Sequence, residues 1–208
     1  MDQKQTLHRY LRQGRAALLL KLEGLDEYDA RRPLTPTGTN VLGIVKHVAS
    51  VELGYFAEVF GRPSGRDLPW FADDAEPDSD LWVPADESRE SVLELHRFSA
   101  QHSDATIDAL PLDARGVVPW WRPETRDVTL GQILVHMCVE TARHAGHLDI
   151  LREQLDGAVG IRRDDPNITS RTAAQWRARR KLLESQAHEA QRRAGQALSS
   201  ATAAHDAP

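Results

Sequence analysis

Thr129-Leu-Gly-Gln-Ile-Leu-Val-His-Met-Cys-Val-Glu-Thr-Ala-Arg-His-Ala-Gly-His-Leu-Asp-Ile-Leu-Arg-Glu153 is the stretch of this 208-residue chain whose reading decides the fold. Residues three and four apart on a helix share a face. One such stripe runs Ile133, Met137, Glu140, His144, Leu148, Leu151 and Leu155, apolar at both ends and ionisable in the middle. The spacing predicts a helix from Val128 to Leu155, capped by Asp127 or Thr129, with Gly157 at the left-handed C-terminal position. A bare carboxylate on an otherwise buried face costs several kcal/mol unless it is paired or bound to a metal. Glu140 therefore needs an explanation, and His144 is four residues away. His136 and His147 border the same stripe.

The same anomaly occurs once more, upstream. A helix starting at Thr39 or Asn40 and running to about Phe60 has an inner stripe of Ile44, His47, Val48, Val51 and Tyr55. A lone histidine on an apolar face reads as a hydrogen-bonded core residue, and Glu140–His144 alone reads equally well as an intrahelical pair. Taken together, the two helices suggest more. Facing side chains in a bundle meet at ligand distance. Two imidazoles and one carboxylate, His47, Glu140 and His144, form a three-ligand set for one divalent ion, zinc first, with nickel, iron or manganese also suited. Three protein ligands leave a coordination position open. One carboxylate leaves the ion a charge of about +1, which attracts an anion and lowers the pKa of a bound water or thiol.

Two further segments complete an all-α, four-helix bundle. One runs from about Thr6 to Leu25 and the other from about Asp86 to Leu110. Between them, residues 61–85 form a long loop with four prolines. From Asp67 to Glu94 there are ten acidic residues and one basic one; they follow no metal-loop spacing and read as a solvated loop entering an acidic helix start. Residues 111–127 are irregular and include Pro119-Trp120-Trp121-Arg122-Pro123. Trp120 and Trp121, with Trp82 ahead of the third helix and Tyr55, are expected to wall a substrate pocket or, failing that, to close the end of the bundle.

Composition sets the domain plan. Residues 162–208 carry nine Lys or Arg and five Asp or Glu, so the tail is +4 and the rest −9 of the total −5. We expect a metal-binding bundle over 1–160, a basic helical extension over 161–198 with its helix from Thr172 to Leu198, and a disordered tail over 199–208. The acidic balance gives no reason to expect nucleic acid. The absence of a ~20-residue apolar run argues against a membrane partner. The single cysteine, Cys138, and an N-terminus without a signal-peptide core point to the cytoplasm. Monomer and homodimer stay open.

At these residues the chain resembles the DinB-like superfamily and, within it, the branch labelled mini-circle protein. The matching segments are Thr39 to Phe56, Pro119-Trp-Trp121 and Leu134 to Glu153, within a likeness covering roughly residues 5–160. The resemblance implies a four-helix bundle with a metal held by one histidine of the second helix and two residues of the fourth. Many relatives have histidine at both fourth-helix positions; Glu140 is similar to the arrangement in mycothiol-dependent maleylpyruvate isomerase. His147 stands where many relatives have glutamine. With His136, it is expected to support the ligands rather than bind. Relatives of known activity are thiol-dependent transferases or isomerases. The implied partners are therefore a low-molecular-weight thiol, mycothiol first, and a small-molecule electrophile, with the metal activating the thiolate.

Other chemistries fit less well. A di-iron protein needs Glu-x-x-His on two helices, but Arg143 follows Glu140 and Tyr55 follows Glu52 at that spacing. His136-Met-Cys-Val-Glu140 lacks the zinc-protease order. Cys138 lies about 200° around the helix from Glu140 and reads as a packing residue. Two alternatives stay open: a metal-dependent hydrolase using bound water, and a non-enzymatic bundle that binds a small molecule or a protein.

Overall fold

A computed structural model describes residues 2–205, with side chains through residue 195. Its helices are α1 (Gln3–Leu20), α2 (Glu27–Arg31), α3 (Val41–Phe56), α4 (Arg89–Ala109), α5 (Leu130–Asp156) and α6 (Ala173–His205). Short strands β1 (Arg115–Val117) and β2 (Asp127–Thr129) pair antiparallel just before α5. The fold is all-α. Residues 1–165 and 166–208 form two compact units.

In the first unit, α3 packs on α4, α1 on α5, and α3 on α5, which closes a four-helix bundle. Caps explain where its helices start. The Asp2 and Thr129 side chains each accept from the third backbone N–H of their helix, and Gln5 and Gln132 reach back to complete capping boxes. Asn40 and Ser88 cap α3 and α4 in the same way. Gly157 ends α5 at φ 80°, a conformation glycine adopts without strain. The upstream helix is shorter than its apolar pattern implies: α3 ends at Phe56, and a 3-10 turn, Glu58–Phe60, carries the chain to Gly61. The small helix α2 has too few residues to show periodicity, and the sequence reading missed it.

α3 is the central helix. Every residue in it is buried except His47, Val51 and Gly54, which lie at i, i+4 and i+7 on one face. This corrects the sequence reading, which put His47 and Val51 on the inner stripe. A helix apolar nearly all round has no contrast from which to pick an inner side.

In the second unit, α6 runs to His205, through the start of the segment from Ser199 expected to be disordered. Ala197, Ala201, Ala203 and Ala204 favour helix. Residues 206–208 of that segment lie outside the described ones. Among the described residues, no helix is long and apolar enough to cross a membrane.

Candidate metal centre

α3 and α5 bring His47, Glu140 and His144 together, with one ligand atom from each all within 4.8 Å of one another. His144 Nε2 lies 3.0 Å from Glu140 Oε1, and His47 Nε2 lies 3.9 Å from the same oxygen. The two imidazole rings meet edge to face at 4.8 Å. A tetrahedral ion with bonds near 2.0 Å spaces its ligand atoms about 3.3 Å apart, within the range seen here. The donor set fits a divalent cation. Among the described residues, the only ion-pair partners of Glu140 are these two imidazoles. The three side chains are half-buried rather than interior, so the centre sits at the edge of the bundle and is open to ligands.

The two histidines are held differently. His47 Nδ1 lies 2.6 Å from Asp80 Oδ2. An ionised carboxylate only accepts, so Nδ1 donates to Asp80 and Nε2 faces Glu140. Burial tends to raise the Asp80 pKa, but the hydrogen bond and charge of His47, with Lys46 nearby, hold it below the usual carboxylate value. His144 has no such support: its Nδ1 is buried and, among the described residues, has no hydrogen-bond partner. Burial, reinforced by the adjacent His47, lowers the His144 pKa and favours the neutral imidazole that a metal requires.

Asp80 comes from the acidic loop, and the local sequence of α3 explains how that loop reaches His47. A Cβ on Gly43 would lie 1.8 Å from the Leu81 carbonyl oxygen, so only glycine lets the loop cross the helix there. Asn40 Nδ2 donates to the same carbonyl at 3.3 Å. The buried Lys46 ammonium donates to the Ser79 and Trp82 carbonyls at 3.3 and 3.2 Å and to Glu87 at 3.1 Å, and it sits 4.0 Å from the Trp70 ring centre. Asn40, Gly43 and Lys46 thus clamp the loop over the first turns of α3, and Asp80 lands on His47, four residues beyond Gly43.

The other predicted residues fall as follows. Tyr55 and Trp120 line a cleft of about 610 Å³ that borders His47 and Asp80. Trp121 stands behind Tyr55 and donates to its hydroxyl at 3.1 Å. Trp82 is a correction: it does not line the cleft. The loop is pinned through its backbone at Leu81 and Trp82, which leaves the indole 45% exposed. His136 packs edge-on against Tyr55 and Trp121, and the exposed His147 contacts the His144 ring. Among the described residues, neither hydrogen-bonds to His47, Glu140 or His144; the support expected of them comes from Asp80 instead. Burial raises the Cys138 thiol pKa, and its Sγ faces the Leu7 carbonyl on α1 at 3.4 Å, away from the centre.

A scan against family models matches Mycothiol-S-transferase over residues 6–157. The chain belongs to the mycothiol S-transferase family. The family match agrees with the DinB-like resemblance carried by His47 and the Glu140–His144 segment. It begins within α1 and ends at the glycine that stops α5, so the family region is the bundle, and the unit from Pro166 lies outside it. Neither the comparison with curated proteins nor that with solved structures returns a match.

The sequence reading also missed a buried polar cluster elsewhere in the bundle. Arg15 of α1 pairs with Glu52 of α3 at 2.8 Å and with Asp104 of α4 at 2.6 Å, and His8 contacts the same Asp104 oxygen at 2.6 Å. Each acid and base is already compensated there, as a structural role requires. Helical spacing does mark Glu52 as a charge within an apolar segment, but nothing local names Arg15 or Asp104 as its partners.

Proposed function

We propose that this protein conjugates a low-molecular-weight thiol, mycothiol in the first instance, to a small electrophile, with a divalent ion, zinc first, held by His47, Glu140 and His144. The observation that carries this reading is the convergence of those three side chains beside an open cleft in a mycothiol S-transferase family bundle. A divalent ion in that donor set, keeping a charge of about +1, supplies the electrostatic stabilisation that makes a thiol a thiolate at neutral pH. The chain's own residues do the rest. Asp80 accepts from Nδ1 and fixes the His47 ring, so that Nε2 faces Glu140. Tyr55 and Trp120, with Trp121 packed behind Tyr55, form an aromatic wall of the cleft that borders His47. No protein nucleophile is required, consistent with the position and raised pKa of Cys138.

The test begins with elemental analysis of protein purified without added metal. One divalent ion per chain is expected; His144→Ala should lose it and His136→Ala should keep most of it. Equal loss in both variants would show the ligands to be misassigned. Cobalt-substituted protein is then titrated with mycothiol and other thiols, where sulfur ligation adds an intense near-ultraviolet charge-transfer band. If no thiol produces the band and none is consumed with any electrophile, the transferase reading fails. Metal-dependent ester cleavage without thiol would then make it a hydrolase.

A further inference from the structure

The cleft beside His47 has a floor, walls and a chemical character that the metal centre does not require. Its floor is the one face of α3 that is not buried, His47, Val51 and Gly54. Its walls include Tyr55, Leu68, Phe71 and Trp120, and the lining is mainly apolar. Trp120 packs edge-on against Tyr55 at 5.3 Å. Phe71 and Trp120 are 48% and 53% exposed, an arrangement that costs hydration unless a ligand covers the rings. At about 610 Å³ the cleft suits one small organic molecule.

Gly54 points the same way. Glycine inside a helix lowers helix stability, and here neither backbone nor packing calls for it. A Cβ at Gly54 would meet only the Trp120 ring, at 3.5 Å, an ordinary contact. At Gly43, by contrast, a Cβ cannot fit at all. What a missing side chain at position 54 preserves is open space on the cleft floor, two turns from His47.

We infer that the cleft is the binding site for a flat, aromatic, largely apolar electrophile, and that Gly54 sets its depth. This rests on the transferase reading for the reaction but not for binding. Of the charged lining residues, Glu58 and Arg66 are of opposite sign and Asp80 is paired with His47, so apolar contact rather than net charge selects the ligand. A thiol carried on a polyhydroxylated sugar gains little from such walls, which leaves it the polar flank of α5, where Arg143 and His147 are exposed. With a chloronitroarene, the thiolate sulfur forms a bond to the ring carbon, chloride leaves with the carbon–chlorine electron pair, and the thiol proton passes to solvent.

The experiment uses the full-length, metal-loaded chain and Gly54→Leu, with Gly54→Ala and Phe71→Ala as milder variants should the leucine fail to fold. Unreactive 1,3-dinitrobenzene is titrated against tryptophan fluorescence, with metal content measured alongside. Gly54→Leu should keep its metal and bind dinitrobenzene at least about tenfold more weakly, the scale at which added side-chain volume in a pocket discriminates. The ratio of kcat/KM for 1-chloro-2,4-dinitrobenzene to that for iodoacetamide, with mycothiol, should fall by a similar factor. Unchanged dinitrobenzene binding in metal-replete Gly54→Leu overturns the proposal, as does an unchanged ratio while both electrophiles turn over. Aromatic binding that Gly54→Leu abolishes, with no thiol consumed by any protein, upholds the cleft and removes the transferase reading instead.

Discussion

Glu140 and His144 were readable as a pair because one helical turn separates them, and no fold is needed to put them side by side. Asp80 was not readable, because it is one of ten acids in an irregular stretch and only its contact with His47 distinguishes it. Its role predicts a specific loss. Asp80→Asn keeps the shape but not the charge, so the His47 ring becomes a weaker donor to metal; affinity should fall 10–100-fold, the usual cost of removing such a partner, as read by chelator competition. Unchanged affinity would mean that Asp80 only tethers the loop. His96 supplies a second residue-scale prediction. Burial first, then the charges of Arg15 and Arg97, lower its pKa from 6.5 to about 4. It is neutral when folded and takes up a proton when unfolded, so between pH 6.5 and 4 the unfolded chain binds more protons and stability falls as pH falls. The full penalty below that window is roughly 3 kcal/mol. His96→Leu should lose less urea resistance than the parent from pH 7 to 4.5; parallel losses would clear His96 of this effect.

At the scale of elements, the decisive contact is between α3 and the loop that crosses it. Gly43 permits the crossing, while Asn40 and Lys46 hold it in place. Gly43 and Lys46 stand four and one residues before His47, yet neither bears on the metal except through the loop. Gly43→Ala forces the Leu81 carbonyl away. We expect a loss of roughly 1–3 kcal/mol, the range for overpacked sites, together with weaker metal binding and faster proteolysis between residues 77 and 84. A stable variant with normal metal affinity would show that the loop can shift without moving Asp80. The helix caps, by contrast, were legible, since Asn40, Thr129 and Gly157 act through their immediate neighbours.

For the whole molecule, the family match, the candidate metal site and the cleft all fall within the unit ending at Asp165. We therefore predict that residues 1–165 alone fold into a helical bundle and bind metal with the affinity of the full chain, as measured by circular dichroism and chelator competition. A truncated chain that aggregates or loses its metal would show that the basic segment beyond Pro166 is needed by the fold.

The sequence by itself determined what depends on periodicity: an all-α bundle, two helices with ionisable residues interrupting apolar faces, and the spacing of Glu140 and His144. Tertiary structure decided what depends on which surfaces meet. It put His47 on the open rather than the buried side of α3, chose Asp80 among ten acids, and sent Trp120 to the cleft and Trp82 to the surface. Helical periodicity relates residues a turn apart on one element. It carries no information about the packing of separate elements, and on a helix buried nearly all round, such as α3, it does not show which face stays open.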